Sequence, residues 1–344
     1  MRLSVAAVTL LFTQTSAFTF TKQHARGSLG APTKFQKKQH IGALYESAPS
    51  SGEENAAIEY ANGDTTTTTL PEVSSTGSFS VESDTSGPSD NAVHTLTIHL
   101  PHEETPLIIQ TGKIGRQAAG AVTLSRGETM IYATASRDND PKESIDFLPL
   151  SVEYQERMSS VGQTKGGFLK RDGRPAEHEI LTCRLIDRPI RPLIANGWRH
   201  ETQLLSWVLS YDNIRACDTL AIIANSAALW ISDVPLKKPV AAATVGYVDD
   251  KLVLNPTNAQ MEKSRLNLSI AGTKDAVLMI EGAADFLPED LMIEAVNLGH
   301  SSVKLICEAL EEFGKVAGKE KNYSTLPEEV EGLQETVDAL MAEK

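Results

Sequence analysis

The chain has 344 residues, 41% of them hydrophobic and 22% charged, with a formal net charge of -13. That composition is ordinary for a globular protein of one or two domains. Its three cysteines, Cys183, Cys217 and Cys307, are too scattered for a disulfide framework or a zinc site, and no apolar run of about 18 residues follows the N-terminus, which excludes a transmembrane helix.

The charge is uneven along the chain. Residues 1–45 hold six Lys/Arg and no acid, and residues 46–92 hold nine acids and no Lys or Arg. The acidic average therefore does not decide whether nucleic acid is a partner. Residues 1–17 read as a signal peptide: Arg2 is its positive end, Leu3–Phe12 its apolar stretch, and Thr15-Ser16-Ala17 a small-residue cleavage context. Residues 18–45 carry Lys22, Arg26, Lys34, Lys37 and Lys38 among Ser, Thr and Gln, which is transit-peptide composition. A signal peptide joined directly to such a segment resembles the bipartite presequence of plastid proteins; secretion and a mitochondrial presequence are the alternatives. Residues 46–92 are rich in Ser, Thr, Gly and Glu and poor in large apolar side chains, so a disordered acidic linker is expected.

A folded core is expected from Val93 to about Gly318. Ala121–Leu124 and Thr129–Thr134 flank Arg126-Gly127 as a β-hairpin, and Asp146–Tyr154 alternates like a strand. Ala176–Asp187 is predicted to be a helix that stops before Pro189. Thr202–Ser210 reads as a buried strand and Asp218–Ile231 as an Ala-rich helix buried on most sides. Two further hairpins follow, Val240–Val248 with Lys251–Leu254 across Asp249-Asp250, and Arg265–Ala271 with Ala276–Glu281. A long helix is predicted around Leu291, Ala295, Leu298, Val303, Ile306, Leu310 and Phe313, spaced by about three and four. Hairpins mixed with amphipathic helices define an α+β fold. Residues 319–344 read as the start of a further helical domain, with a helix over Glu328–Leu340, and the chain ending inside it suggests a truncated protein. His178, His200 and His300 have no partners at ligand spacing and read as surface or satisfied histidines.

The stretch most informative about chemistry is Arg157–Arg199, with nine Lys/Arg against four acids. At its centre lies Gly166-Gly167-Phe168-Leu169-Lys170-Arg171-Asp172-Gly173-Arg174. Glycines on both sides make a flexible loop, Phe168 offers a face for base stacking, and Lys170, Arg171 and Arg174 can neutralise phosphates. The residues alone equally allow a solvated loop whose arginines pair with nearby acids. Arg184, Arg188 and Arg191 can likewise pair with Asp187 and the helix C-terminus.

Several motifs then stand in a recognisable order: Thr111-Gly112-Lys113, Phe147-Leu148-Pro149-Leu150, Tyr154-Gln155-Glu156-Arg157, the Phe168–Arg174 loop, Arg184-Leu185-Ile186-Asp187-Arg188-Pro189-Ile190-Arg191-Pro192-Leu193, and Leu254-Asn255-Pro256-Thr257. Together they resemble the first RNase PH-like core of polynucleotide phosphorylases, from about residue 95 to 318, which makes 93–318 the expected core domain. The resemblance implies an RNase PH-like core, a ribosomal-protein-like βαβ fold with hairpins and packed helices. It implies a 3′→5′ phosphorolytic exoribonuclease, a polyribonucleotide nucleotidyltransferase that uses Mg²⁺ and inorganic phosphate. It implies a homotrimeric ring, with Phe168, Lys170, Arg171 and Arg174 gripping single-stranded RNA in its pore. Arg157, Arg188 and Arg191 become possible RNA or phosphate contacts. One stacking position is lost, because the family often has a second aromatic where Leu169 stands. No DNA specificity is implied, and no membrane attachment of the mature chain.

In the family the catalytic groups lie on a second core beyond this chain. The positions here that match them are Ala216-Cys217-Asp218 in place of a phosphate-seating serine run, and Asn267 and Ser269 in place of an Asp and a Lys. Met261 stands near a further catalytic Asp. An ionised Asp218 repels phosphate, Asn267 brings no anionic charge to a metal, and Ser269 supplies no cation. No catalytic residue, metal or cofactor is therefore expected in this core. The alternatives are a short stand-alone RNA-binding module without catalysis, and a self-sufficient RNase PH-type enzyme, against which Asp218, Asn267 and Ser269 count.

Overall fold

The computed structural model describes residues 77–84, 92–101, 103–142, 145–166, 168, 173–324 and 341. The signal and transit segments at 1–17 and 18–45, Lys170, Arg171 and the Glu328–Leu340 helix lie outside the described residues.

The fold is α+β, as expected. Seven strands form one sheet in the order β1-β2-β3-β4-β5-β7-β6: β1 (Ser78–Asp84), β2 (Val93–His99), β3 (Leu107–Thr111), β4 (Gly120–Arg126), β5 (Thr129–Pro141), β6 (Leu150–Glu156) and β7 (His200–Ser210). The chain meanders antiparallel through β5. It then crosses through helix α1 (Glu177–Ile190), so that β6 and β7 pair in parallel as a βαβ unit. A second sheet has the order β11-β10-β8-β9, from β8 (Ala241–Val248), β9 (Lys251–Leu254), β10 (Leu266–Gly272) and β11 (Val277–Ala284). Asp249 and Asp250 between β8 and β9 both have positive φ, at 50° and 59°, which is the two-residue turn whose twist matches that of the flanking strands.

Helix α2 (Asp218–Ile231) packs on β4 and β5 of the first sheet and on β8 of the second. It is buried along almost its whole length, from Thr219 to Leu229 and again at Ile231. Ala221, Ala224, Ala227 and Ala228 are completely inaccessible, and their small side chains let both sheets come close. Gly120 carries the same constraint from the strand side: a Cβ there would collide with the Ala228 carbonyl oxygen. Helix α4 (Glu289–Ala317) covers β8 and β10 and also touches β1 and β2. The predicted stripe is its buried face, with Ala295, Val303, Ile306, Leu310 and Phe313 at or near zero exposure.

Two expectations are corrected. The acidic run to residue 92 is not wholly unstructured, because Ser78–Asp84 is an edge strand in register with β2 along its whole length. Its alternation brings Phe79 and Val81 onto the core, enough apolar area to order a short segment against an existing sheet edge. Strands β2 and β3, which the sequence reading did not assign, join the sheet with Leu96, Ile98, Leu107 and Ile109 as their buried positions. Helix α1 runs through Pro189 to Ile190 rather than stopping before it. The proline removes one backbone hydrogen bond, but it sits in the last turn, and Ile186, Pro189 and Ile190 are buried. After Gly318 the chain returns to the core. The Lys319 N–H donates to the Ile231 carbonyl (3.0 Å) and the Asn322 N–H to that of Asp233 (2.8 Å). The Lys321 ammonium donates to the carbonyls of Trp230 and Ser232 at 2.6 and 2.7 Å, satisfying the free C-terminus of α2.

Replacing Gly120 with Ala is expected to destabilise the chain by about 2 kcal/mol or more in urea unfolding. The same change at Gly166, where nothing lies within 4 Å of the new Cβ, should stay within about 0.5 kcal/mol.

Candidate functional site

The basic loop leaves β6 at Glu156 and returns at the N-terminus of α1. Its first part is a 3-10 turn, Met158–Val161, ended by Gly162 in the left-handed region at φ 71°. The Ser160 carbonyl in that turn accepts from the Tyr211 N–H at 3.1 Å, which ties the turn to the end of β7. Beyond it, Gly162, Gly166 and Gly173 have open space where a Cβ would sit, so they serve chain freedom rather than packing. Phe168 is 100% exposed and Arg174 is exposed. A bare phenyl ring costs apolar area in water, and single-strand binding proteins use such rings for base stacking.

The other arginines of the stretch divide by the work the fold gives them. Arg191 is a strut: its guanidinium grips Asp187 at 2.6 and 2.9 Å and donates to the carbonyls of Leu148 and Leu150 at 3.0 and 3.1 Å. Arg188 reaches across to Glu281 on β11 at 2.7 Å. Arg157 lies over the Trp207 ring, 4.3 Å from its centroid, a cation–π contact. Arg184 is exposed on the outer face of α1. The alternative of pairing with Asp187 thus describes Arg191, while Phe168 and Arg174 project outward.

The positions matched to the family's catalytic groups do come together. Asp218 at the start of α2, Met261 on the short helix α3 (Asn258–Met261), and Asn267 and Ser269 on one face of β10 line a single cavity of about 110 Å³. Cys217 faces a neighbouring cavity of about 220 Å³, which shares Ala216, Asp218 and Asn258 with the first and is also lined by Glu156 and His178. The base of the basic loop and the cavity lined by Asp218, Met261, Asn267 and Ser269 are therefore side by side.

Sequence reasoning missed the other half of the first cavity: Arg126, Arg215, Thr219, Thr244 and Asn255. In the sequence Arg126 is only part of a hairpin turn, and Asn255 only part of a matching motif. Arg126 is buried and paired with Glu103, both side chains being 4% exposed. Burial lowers its pKa and the Glu103 carboxylate opposes that shift. Glu103 also accepts from the Asn255 amide at 2.7 Å, and the Asn255 side-chain oxygen accepts from the Thr244 N–H at 3.0 Å. The guanidinium is thus neutralised within the fold, and a pair of this kind breaks at high cost.

Asp218 is the single carboxylate among the described lining residues of the first cavity. Withdrawal from water raises its pKa, an effect the hydrogen bond from the Thr182 hydroxyl (3.2 Å) opposes. A divalent cation needs several oxygen donors with anionic charge. One reluctant carboxylate beside Asn267, Ser269 and Met261 does not fit Mg²⁺, and among the described residues no group of three or more His, Cys, Asp or Glu could hold a metal.

Each of the three histidines has one local partner, although the buried Nε2 of His200 has none. His178 Nε2 lies 2.9 Å from Glu156, His200 Nδ1 lies 3.0 Å from the Asp138 carbonyl oxygen, and His300 Nε2 lies 3.1 Å from that of Thr273.

A carboxyl whose folded pKa is raised costs stability above that pKa and costs nothing below its unfolded value near 3.9. Asp218→Asn is therefore expected to raise the urea midpoint at pH 7, and the gain should shrink as the pH falls towards 4. An equal gain at both pH values would show that ionisation of Asp218 is not the cause.

The sequence profile of the 3′ exoribonuclease family, domain 1 (RNase PH) matches residues 103–235, and that of the family's domain 2 matches residues 238–302. The junction falls where the chain passes from the seven-stranded sheet and α2 into the four-stranded sheet. A polyribonucleotide nucleotidyltransferase of Protochlamydia amoebophila is 52% identical over 230 residues, 67% of this chain and 33% of that protein. The Bacillus subtilis polyribonucleotide nucleotidyltransferase is 46% identical over 237 residues, 69% of this chain and 34% of that protein. The rice protein named "Probable polyribonucleotide nucleotidyltransferase 1, chloroplastic" is 45% identical over 227 residues, 66% of this chain and 25% of that protein. The chain spans no more than about a third of the length of these relatives. With the two profiles together covering more than half of it, the chain belongs to the 3′ exoribonuclease family of RNase PH domains.

Proposed function

We propose that this chain supplies the RNA-gripping core of a 3′→5′ phosphorolytic exoribonuclease, a polyribonucleotide nucleotidyltransferase, and does not itself carry the phosphorolytic site. In the overall reaction inorganic phosphate attacks the terminal phosphodiester of RNA. The penultimate nucleotide's 3′ oxygen leaves, and one nucleoside diphosphate is released with a chain shorter by one. The observation that carries the reading is the contrast between Phe168, wholly exposed on a basic loop, and the cavity beside the loop's base, where Arg126 is neutralised by Glu103, Arg215 Nε donates to the Asn255 carbonyl oxygen, and Asp218 is the single carboxylate among the described lining residues.

Phe168 stacks on a base, contributing about 1–3 kcal/mol, while Lys170, Arg171 and Arg174 neutralise phosphates without reading sequence. Arg188 and Arg191 act mainly by holding α1 in place, and Arg157 by holding the loop's first residue over Trp207. The phosphate seat and the Mg²⁺ that steadies the developing charge belong, in this reading, to a second core of the full-length enzyme. Three chains would form a ring with the loops in its pore. A plastid address is supported by the basic, acid-free composition of residues 18–45 and by the chloroplastic name of the rice relative; the alternative is the mitochondrion. No helix among the described residues is long and apolar enough to cross a membrane.

Two measurements test the reading. The purified chain, incubated with poly(A), phosphate and Mg²⁺, should release no ADP, and steady phosphate-dependent release of ADP would overturn the assignment of catalysis to another core. Replacing Lys170, Arg171 and Arg174 with Ala should weaken single-stranded RNA binding. It should also flatten the log–log salt dependence by a slope of about 2, roughly 0.7 for each phosphate no longer neutralised. Unchanged affinity at low salt would return the loop to a solvated surface.

A further inference from the structure

We infer that Glu179 is the positioning residue of the RNA-binding loop, a carboxylate that staples the loop's two stems together at its base. The inference rests on the reading of that loop as an RNA grip. Glu179 is 8% exposed, although it stands in the first turn of α1 among exposed neighbours: Glu177, His178 and Ile180 all face solvent. An acid is buried in such a place only when its oxygens are satisfied. Here each oxygen takes a different stem. One accepts the N–H of Glu156, where β6 ends and the loop begins, at 2.7 Å. The other accepts the N–H of Ala176, where the loop ends and the helix begins, at 2.5 Å. Both are short, charge-assisted bonds.

A second, outer tie spans the same stems: His178 on α1 meets the Glu156 carboxylate at 2.9 Å. The other Glu156 oxygen accepts from the buried Tyr154 hydroxyl at 2.7 Å, so this tie is anchored in the core. The Tyr154 N–H in turn lies 3.2 Å from Cys183 Sγ on α1. The strand and the helix that carry the loop are thus laced together up to its mouth. Beyond the mouth, Gly166 and Gly173 have open space where a side chain would begin. Fixing the ends of a flexible loop removes part of its conformational entropy in advance. Phe168 and Arg174 then meet RNA with less entropy left to lose.

A carboxylate can do this and a carboxamide cannot, because glutamine has one acceptor oxygen and would turn an N–H towards the second stem's N–H. The test is a double-mutant cycle in the full chain, with fluorescent oligo(A) as the probe and amide exchange at Glu156 and Ala176 as a second readout. Glu179→Gln should weaken oligo(A) binding by about fivefold, the scale of one lost buried hydrogen bond, and should lower protection of one of those two amides. In the Phe168→Ala background the same change should cost less than about 1.5-fold, because the loop it positions has lost its stacking ring. Equal losses in both backgrounds would make Glu179 a general structural residue and overturn the inference. So would wild-type affinity of Glu179→Gln beside a weakened Phe168→Ala, an outcome that leaves the RNA-grip reading standing. Wild-type affinity of Phe168→Ala itself would remove both. Should Glu179→Gln fail to fold, His178→Ala, at an exposed side chain, enters the same cycle with an expected coupled loss of about twofold.

Discussion

Helix α2 is held between two sheets, and the rest of the molecule is arranged by that contact. The helix can be buried on nearly every side only because alanines line it where the strands come near and because Gly120 offers no side chain at the closest approach. Burial of this kind is worth most where water is fully excluded and the packing leaves no gaps. It also sets the address of both ends of the helix. The C-terminus is closed off by Lys321, and the N-terminus, at Cys217 and Asp218, opens into the two adjoining cavities.

Around that N-terminus the electrostatics separate into two neighbouring environments. In the cavity, the positive charge of Arg126 is consumed by Glu103, Arg215 is held by the Asn255 carbonyl oxygen, and the remaining acid, Asp218, is pushed towards its neutral form by burial. A few residues away, the loop stems carry carboxylates whose oxygens are all directed at the protein itself, at backbone N–H groups, a histidine and a tyrosine hydroxyl. The negative charge of the region is spent on architecture, while Phe168 and Arg174 remain exposed. A chain that is acidic overall can present a cationic, aromatic surface in this way, because what an approaching polyanion meets is the local field.

The same division shows within the arginine-rich stretch. Arg191 and Arg188 stand three residues apart and look alike in sequence. One is locked onto Asp187 and two carbonyls, and the other crosses to Glu281 on the second sheet. The planar guanidinium suits both tasks, since it can satisfy several acceptors at once. Which arginine is a strut and which is a hand depends on the acceptors that lie within reach, and some of those come from elements nearly a hundred residues away.

Local pattern alone determined much of this protein. Apolar alternation and turn residues located the β4–β5, β8–β9 and β10–β11 hairpins, three-four spacing located α4, and the Ala-rich run placed α2 from Asp218 to Ile231. The basic loop with Phe168 was also readable, because glycines, an aromatic and cations in one short segment are a local signal. Periodicity was silent on β1, whose Phe79 and Val81 gain their burial from an edge supplied by β2, and on Pro189, which buried neighbours carry through the last helical turn. Only the tertiary structure could bring Asp218, Met261, Asn267 and Ser269 to one cavity, add Arg126 and its partner Glu103, and place both oxygens of Glu179 between Glu156 and Ala176. Apart from the Ala176–Glu179 bond, which lies within the first turn of α1, those arrangements depend on strands and helices distant in sequence coming together, which no local pattern of residues encodes.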